Sequence, residues 1–311
     1  MDPSTRVLDC DHELALAART SDPDTLNYRE ARNAADWEEF RTAGLKEFSE
    51  LIDKNTWNIV HRSDVPKGKR VLPSTLVMKR KRFPDGRLRK YKARLCVRGD
   101  LQVAGSDYFE TYAPVVQMST VRLMLTLAVR NDFVTKQVDY SNAFVQAELD
   151  TDVFVSLPPG VTMSDGSSSV MHLRKSLYGL KQAPLKWYEK LRDSLLQRGF
   201  KQSKQDQCLF FVPDLVAVVY VDNVLFFSRS EKRIDSMIAS LREEFEFNVE
   251  GTVENFLGLN IVHHDDGRIE FLQTGLIDRV PTELGLMDCS PVAYPAERKP
   301  LSSGGNVRMK S

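Results

Sequence analysis

Two apolar runs joined by an Asp-Asn pair constrain the fold of this chain more than any other feature. They form the stretch Val216-Ala-Val-Val-Tyr-Val-Asp222-Asn223-Val-Leu-Phe-Phe227. Runs rich in Val, Tyr and Phe favour strands, and two adjacent residues that tolerate a positive φ favour a tight hairpin turn. The pattern predicts a buried hairpin that lifts the Asp222 carboxylate to the rim of a sheet, where an acid is costly unless it faces water or a cation. An ordinary turn without a functional role is the alternative explanation for the hairpin alone.

The charge of the chain is unevenly distributed, although the net charge of its 311 residues is zero. Between Lys67 and Arg98 there are 13 Lys or Arg residues and one acid, Asp85, so this window carries +12 and the rest of the chain −12. A basic arm on an acidic body predicts a polyanionic partner. The hydrophobic content of 42% is that of an ordinary globular protein, and the length allows two or three subdomains.

The cysteines and the first residues indicate the compartment. The chain has four scattered cysteines, Cys10, Cys96, Cys208 and Cys289, without a CxxC pair. This spacing predicts free thiols in a reducing compartment, and neither a zinc site nor a disulfide framework. Met1 is followed by Asp-Pro-Ser-Thr-Arg and not by a charged and then apolar leader, so we expect an intracellular protein without a secretion signal.

Periodicity predicts a mixed α+β chain. Helices are predicted after an N-cap at Asp36 and over Thr120 to Asn131, Pro184 to Arg198 and Glu231 to Phe247. Strands are predicted in a basic hairpin over Thr75 to Val97, and over Phe133 to Val138, Val153 to Leu157, Asn255 to His263 and Arg268 to Leu272. The middle of the chain therefore has the order strand, helix, hairpin, helix, strand. That order favours an antiparallel sheet with helices packed on one face, a split βαβ arrangement.

Two carboxylates fall at the ends of strands of this predicted sheet. Asp139 follows one strand and Asp222 lies at the hairpin turn of another. Adjacent strands would bring these acids close together, and paired carboxylates can hold two Mg²⁺ ions for phosphoryl transfer. The pairing alone is a weak indication of that chemistry.

Several phrases of the chain resemble one family, and they occur in the order and spacing of that family. They are Tyr91-Lys-Ala-Arg94-Leu-Cys-Val-Arg-Gly99, Tyr108-Phe-Glu-Thr-Tyr-Ala-Pro114, Gln137-Val-Asp139-Tyr-Ser-Asn-Ala-Phe144, Lys175-Ser-Leu-Tyr-Gly-Leu-Lys-Gln-Ala-Pro184, Tyr220-Val-Asp222-Asn223 and Asn255-Phe-Leu-Gly-Leu-Asn260. Together they resemble the reverse transcriptase of Ty1/copia-type LTR retrotransposons. The resemblance runs from about Tyr28 to Pro295, close to the whole chain.

The resemblance implies an α+β fold of the right-hand polymerase type, with fingers, palm and a partial thumb. The palm would be a split βαβ antiparallel sheet with helices on one face. The implied boundaries are a linker or disordered end over 1–28, mainly fingers over 29–135 with the basic hairpin 75–98, mainly palm over 136–272 with a finger insertion near 150–182, and the truncated start of a thumb over 273–311.

The same resemblance implies an RNA-directed DNA polymerase that adds dNTPs to a primer by two-metal phosphoryl transfer. Two Mg²⁺ ions would be the cofactors, with Mn²⁺ as a substitute. The expected partners are an RNA or DNA template with its primer, dNTPs, and either other Pol regions such as integrase and RNase H or a second subunit, without a membrane. Template and primer would be bound through phosphate contacts and stacking. The expected location is a cytoplasmic virus-like particle or the nucleus.

Individual residues take roles from the matching motifs. Asp139 and Asp222 would be the catalytic, metal-binding aspartates, with Asn223 beside them in the catalytic box. Phe144 matches the aromatic gate that rejects a 2′-hydroxyl, with plain core packing as the alternative. The implied nucleotide-binding residues are Lys92, Arg94, Phe144, Tyr178, Gly179 and Lys181, and the implied primer grip is Phe256, Leu257 and Gly258. An ordinary turn glycine is the alternative role for Gly179.

The catalytic box departs from the family, because Asn223 stands where the family has a second Asp. An amide can still offer one oxygen, but it removes a negative charge from a site that must neutralise two dications. A catalytically degenerate remnant that only binds nucleic acid is therefore an alternative to a working polymerase. An RNA-recognition-type module shares the split βαβ order, but the sequence does not supply its stacking aromatics better than it supplies the metal acids.

Overall fold

A computed structural model gives the fold of the chain. It describes residues 22–83, 86–161 and 168–251, and beyond them 253, 255–256, 259–264, 268–273, 277, 280–281, 284–285 and 288–289. The chain divides into two compact units, Met1–Val253 and Glu254–Ser311. The candidate site lies in the first unit.

The secondary structure is mixed, as the sequence predicts. In chain order the helices are α1 (Tyr28–Arg32), α2 (Trp37–Asp53), α3 (Met118–Arg130), α4 (Ala183–Gln197) and α5 (Glu231–Arg242). The strands are β1 (Thr25–Asn27), β2 (Trp57–His61), β3 (Val71–Leu72), β4 (Ser74–Arg82), β5 (Leu88–Val97), β6 (Val134–Tyr140), β7 (Phe154–Ser156), β8 (Ser169–Leu173), β9 (Lys201–Gln202), β10 (Leu209–Val212), β11 (Leu215–Tyr220), β12 (Asn223–Ser228), β13 (Phe247–Glu250), β14 (Asn255–Phe256), β15 (Leu259–His263) and β16 (Ile269–Leu272). The α+β class is confirmed.

A six-stranded sheet, the central sheet, positions the candidate site. Its order is β13-β6-β12-β11-β10-β9, and every neighbouring pair is antiparallel. Helix α5 packs on β6 and β12. Trp187 of α4 packs edge-on against Tyr140 of β6, with the ring centroids 5.0 Å apart. Because strand residues alternate between faces, Tyr140 and Val138 point to one face of β6, and Asp139 and Gln137 point to the other.

The hairpin turn lies one residue earlier than the Asp-Asn pair predicts. Tyr220 pairs with Asn223, so Val221 and Asp222 form the two-residue turn and Asn223 is the first residue of β12. Asn223 belongs to the ladder because it also pairs with Asp139 across β12 and β6. The turn therefore falls on Val221, whose φ is +49°. A β-branched residue rarely adopts this left-handed conformation, so the position is strained.

Strand β13 corrects the prediction of one helix from Glu231 to Phe247. Helix α5 ends at Arg242, and the chain then returns to the central sheet as β13 beside β6. The four residues of β13 pair in order with Tyr140 to Gln137 of β6, so strand pairing and not helical packing determines this segment. Phe247 extends the buried aromatic cluster, because its ring lies 5.2 Å from that of Tyr140.

Two smaller sheets carry the basic region. The predicted hairpin is present as β4 and β5, and it joins β1 in a sheet of order β1-β4-β5, whereas β2-β8-β7-β3 form the other sheet. Residues Thr25–Asn27, predicted within a linker, thus form a strand. Asp36 is the N-cap residue of α2, but its carboxylate binds the Arg80 guanidinium at 2.6 and 2.7 Å and the Tyr91 hydroxyl at 2.8 Å. Arg80 is the main reason why the pKa of Asp36 is well below its usual value.

The second unit holds a three-stranded antiparallel sheet of order β14-β15-β16. The predicted strand Asn255 to His263 is divided there into β14 and β15, and the predicted strand Arg268 to Leu272 is represented by β16. Phe256 is buried in β14. Leu257 and Gly258, the other two residues of the predicted primer grip, lie outside the described residues.

Candidate active site

Asp139 and the Asp222 hairpin meet at the same end of two paired strands. Asp139 pairs with Asn223 in the β6–β12 ladder. The backbone N–H of Tyr140 donates to the carbonyl oxygen of Asp222 at 2.7 Å. Both aspartates are half-buried. The sheet therefore brings together the two acids that are 83 positions apart in the sequence.

Burial raises the pKa of the Asp139 carboxyl, and three cations oppose that rise. Desolvation is the largest effect on the pKa of Asp139, and the positive charges of Lys92, Lys81 and Arg94 each lower it. All three cations belong to β4 and β5. The basic hairpin thus acts electrostatically on the acid of the central sheet, which identifies this side of the sheet as the one where anionic and cationic groups meet.

The Asn223 side chain bridges Gln137 and Asp222. Its Oδ1 accepts from Gln137 Nε2 at 2.9 Å, and its Nδ2 donates to Asp222 Oδ1 at 3.1 Å. Gln137 is itself buried. The amide therefore links its two neighbours through hydrogen bonds of its own. A carboxylate in its place would face Asp222 with a like charge, which is unfavourable unless a metal ion compensates it.

Phe144, Tyr178 and Arg94 form a contact cluster, in which the two aromatic rings are tilted by 60° to each other. The Phe144 and Tyr178 ring centroids are 5.1 Å apart, and the Arg94 guanidinium carbon lies 4.8 Å from the Tyr178 centroid. Phe144 is 5% exposed and Tyr178 is 7% exposed. Phe144 follows β6 in a short 3₁₀ turn, Ala143–Gln146. Three of the residues assigned to nucleotide binding from the sequence are therefore in direct contact, with Lys92 nearby on β5.

Gly179 lies where two backbone segments approach closely. Its φ is +88°, and a Cβ built there would lie 2.1 Å from the Val97 carbonyl oxygen. The Val97 N–H donates to the Tyr178 carbonyl at 2.8 Å. Gly99 is equally crowded, because its Cβ would lie 1.8 Å from the Gly179 oxygen. Gly179 is thus more than a turn residue: it joins the end of β5 to the loop that carries Tyr178.

Lys181 contacts Gln102 and Tyr108, which lie outside the cluster of Phe144, Tyr178 and Arg94. Its backbone N–H donates to Gln102 Oε1 at 2.8 Å, and its ammonium group lies 3.4 Å from the Tyr108 hydroxyl and 5.0 Å from that ring's centroid. Gln102 in turn donates to buried Gln182 at 3.0 Å. This network fixes the loop that follows Tyr178.

Sequence reasoning missed three residues of the site. Gln137 and Gln182 lie inside the motif phrases, but nothing in a single sequence distinguishes a buried amide from an exposed one. Trp187 lies within the predicted helix Pro184 to Arg198 at the spacing of an inward residue, and its indole N–H donates to the Val221 carbonyl at 2.6 Å. The detectable signal for Trp187 is its apolar helical spacing, which is the same as that of any core residue.

Among the described residues we find neither a cluster of metal-ligating side chains nor a membrane-spanning helix. Within the part of the chain that the structure describes, no group of three or more His, Cys, Asp and Glu side chains is arranged to hold a metal ion. The described helices include none that is long and apolar enough to cross a membrane.

Comparison with known families identifies the family of the chain. Residues 54–298 match the model of the reverse transcriptase (RNA-dependent DNA polymerase) family. The chain belongs to this family. At the level of the family, the activity is RNA-directed DNA polymerisation, which takes a nucleic-acid template and dNTPs and generally uses divalent metal ions.

The relatives are Ty1/copia-type polyproteins from plants and yeast. The chain is 30% identical over 289 residues to the retrovirus-related Pol polyprotein from transposon TNT 1-94 of Nicotiana tabacum, covering 91% of this chain and 21% of the relative. It is 32% identical to that from transposon RE1 of Arabidopsis thaliana, covering 88% and 19%. It is 28% identical to the transposon Ty1-ER2 Gag-Pol polyprotein of Saccharomyces cerevisiae, covering 83% and 15%. The chain thus spans about a fifth, or less, of these reverse transcriptase relatives.

The crowding at Gly179 leads to a first prediction. Gly179→Ala should lower the free energy of unfolding by more than about 3 kcal/mol, because backbone on both segments must shift. Gly199→Ala is the matched control: Gly199 has a φ of +86° but no heavy atom within 4 Å of its added Cβ. It should cost only about 1 kcal/mol, the strain of the left-handed backbone. Urea denaturation of both variants measures the difference, and equal losses would contradict the proposed close contact.

The buried charge of Asp139 leads to a second prediction. Because the folded-state pKa of Asp139 is raised, its ionisation disfavours folding once the pH exceeds the unfolded-state pKa. In EDTA at pH 7, Asp139→Asn should therefore increase the free energy of unfolding by less than about 1 kcal/mol, because solvent screens part of the charge of a half-exposed carboxylate. The gain should disappear near pH 3, where the carboxyl is protonated in both states. Asp193→Asn, at a side chain that is 53% exposed, is the control and should change little. A loss of stability in Asp139→Asn at pH 7 would refute the argument.

Proposed function

We propose that this chain is an RNA-directed DNA polymerase domain of the right-hand type, which adds dNTPs to a primer by two-metal phosphoryl transfer. The central sheet would be the palm, with helices on one face. The sheets that contain β4, β5 and β8 would belong to the fingers. The first residues after Leu272 would begin a thumb. The observation that carries the proposal is the pairing of β6 and β12, which places Asp139 beside the Asp222 hairpin and opposite the basic residues of β4 and β5.

The side chains at this position suit magnesium. Mg²⁺ prefers hard oxygen ligands, and it is usually bound by one or two carboxylates together with substrate phosphates and water. Asp139 and Asp222 would supply those carboxylates, and the triphosphate of the incoming nucleotide would complete the coordination. Ions held by these two carboxylates would supply Lewis-acid chemistry, a more acidic primer 3′-hydroxyl and charge compensation for the leaving pyrophosphate. Asn223 would act as an outer-shell group, which orients Asp222 through its Nδ2 while its oxygen accepts from Gln137.

The remaining residues would bind and orient the nucleotide. Lys92 and Arg94, whose charges already act on Asp139, would neutralise the triphosphate, and Arg94 suits that task because a guanidinium can form paired hydrogen bonds with phosphate. Phe144 would lie under the sugar and exclude a 2′-hydroxyl. Tyr178 would hold both neighbours in place, because its ring contacts Phe144 and the Arg94 guanidinium.

Primer grip and partners complete the proposal. Phe256, Leu257 and Gly258 would position the primer 3′ end. The partners would be an RNA or DNA template with its primer and, in a longer polyprotein, integrase and RNase H regions. The names of the relatives as Pol polyproteins support this context. An intracellular location follows from the template and nucleotides that such an enzyme needs.

A degenerate chain that only binds nucleic acid is the second candidate function. Asn223 favours it, since the amide replaces a negative charge and forms hydrogen bonds that do not require a metal ion. The basic residues of β4 and β5 would still attract a polyanion in that case. The two candidates differ in one measurable property, the extension of a primer.

Primer extension on oligo(dT)-primed poly(rA), with Mg²⁺ and then Mn²⁺, tests the proposal. We expect the native chain to extend the primer slowly and Asn223→Asp to extend it about 10- to 100-fold faster, because the second acid strengthens the metal site. Asp139→Ala should be inactive while template binding persists. Extension that survives in Asp139→Ala would exclude the assigned site. If neither the native chain nor Asn223→Asp extends the primer while both still bind the template, the degenerate candidate is favoured.

The role of Phe144 gives a separate prediction. Phe144→Val should lower the preference for dNTPs over rNTPs by about 10- to 100-fold, because the smaller side chain leaves room for a 2′-hydroxyl. The ratio of kcat/KM for the two nucleotides measures this preference. Phe154→Val, which shortens another buried phenylalanine that stacks on His172 in β8, is the control and should leave the ratio unchanged. An unchanged ratio in Phe144→Val would assign Phe144 to core packing alone.

A further inference from the structure

The turn that carries Asp222 is strained and yet held in place. Val221 has a φ of +49°, although its branched side chain disfavours that conformation. Such a conformation persists only where the surrounding structure determines it. The Val221 side chain lines a narrow apolar pocket with Pro114, Val115 and Tyr188. Packing explains why a valine is accommodated there, but it does not fix the orientation of the peptide group that leads into Asp222.

Two hydrogen bonds fix that orientation. The indole Nε1 of Trp187 donates to the Val221 carbonyl at 2.6 Å, and the N–H of Tyr140 donates to the next carbonyl, that of Asp222, at 2.7 Å. The side chains of the two donor residues are also in contact, since the Trp187 and Tyr140 rings pack edge to face with their centroids 5.0 Å apart. Tyr140 directly follows Asp139. The arrangement is therefore a closed loop of contacts that runs from one acid to the other through the Trp187 side chain.

The Trp187 side chain is rigidly placed. It is 1% exposed, and its ring also packs edge to face against Phe245 at 5.7 Å. A donor on a buried, well-packed ring can hold an acceptor in one position at little cost in entropy. If the N–H were removed, the strained Val221 could relax towards an ordinary conformation, and the Asp222 carboxylate would move with it.

We propose that Trp187 is a positioning residue for metal binding, whose indole N–H keeps the Val221–Asp222 turn in the strained conformation that presents Asp222 next to Asp139. This inference rests on the proposed function only in that Asp139 and Asp222 bind the metal together. Trp187 touches neither metal nor substrate, and its effect passes through the Val221 carbonyl.

Trp187→Phe and Val221→Gly separate positioning from packing. Trp187→Phe keeps an aromatic ring against Tyr140 and Phe245 but removes the N–H donor. Val221→Gly removes the strain, because glycine adopts a positive φ without a steric penalty. If Trp187 acts by holding a strained turn, its N–H should matter much less in the Val221→Gly variant. If Trp187 only fills the core, the residue at this turn position should not alter the effect of losing the N–H.

The experiment measures the Mn²⁺ affinity of the full 311-residue chain by electron paramagnetic resonance. Binding that Asp139→Ala removes defines the site. We expect Trp187→Phe to weaken this binding about five- to tenfold, the usual effect of one lost hydrogen bond. In the Val221→Gly background the same change should cost less than about twofold. Trp57→Phe, which alters a tryptophan of β2 outside the site, is the control and should leave the affinity unchanged.

The remaining outcomes distinguish a failure of the positioning role from a failure of the polymerase function. Unchanged Mn²⁺ affinity in Trp187→Phe would overturn the inference. So would an equal loss of Mn²⁺ affinity in the native and Val221→Gly backgrounds, because the loss would then follow the general decrease in stability that the melting temperature reports. No site-specific Mn²⁺ binding by the native chain would overturn both the metal site and the positioning role. Primer extension is measured on the same variants. If extension is absent throughout while Mn²⁺ affinities follow the expected pattern, the polymerase function fails and the positioning role stands.

Discussion

The pairing of β6 with β12 is the constraint on which the candidate site depends. It aligns Asp139 with Asn223 and allows the Tyr140 N–H to reach the Asp222 carbonyl. A slip of one residue would send the Asp139 side chain to the opposite face of the sheet. The register is fixed by the buried partners on the other face, where Val138 pairs with Val224 and both side chains are fully buried. The core face therefore determines the geometry of the polar face.

The electrostatics of the site follow from where the charges originate. The acids belong to the central sheet and the opposing cations belong to β4 and β5, so two separate structural elements must be in place before the charges balance. At the site, the central sheet contributes acids and the β4–β5 hairpin contributes cations. Burial makes the Asp139 carboxylate costly, and the basic residues offset only part of that cost. A further cation beside Asp139 would offset the rest of that cost.

Much of the fold was predictable from the sequence, and the reasons for the failures are physical. The β4–β5 hairpin and helices α3 and α4 follow periodicity and turn chemistry, which are local properties. Strand β13 was missed because the helical spacing of Ile234, Ile238 and Leu241 continues by chance to Phe245, while the strand is stabilised by its distant partner β6. The turn was misplaced for the same reason, since the β6 ladder draws Asn223 out of it. Long-range pairing decided both.

The site was predictable to a different extent. The motifs identify Asp139, Asp222, Phe144 and Arg94 as residues of interest, and the structure brings each of them near another member of the set. Polar networks were not predictable, because a buried amide such as Gln137 has the same composition signal as a surface one. The indole of Trp187 was hidden for a related reason: its apolar ring explains its spacing and conceals its single donor.

The interlocked backbones at Gly179 and Gly99 have a mechanical consequence. Between the Gly99 and Gly179 peptides there is no space for even a methyl group, so the end of β5 and the loop that carries Tyr178 cannot slide past each other. Any bending of the β4–β5 hairpin relative to that loop must therefore pivot between Val97 and the tip of the hairpin. Arg94 lies three residues from Val97, whereas Lys81 lies near the tip of the hairpin. The same swing would thus displace Lys81 by a long arc while Arg94 stays almost still.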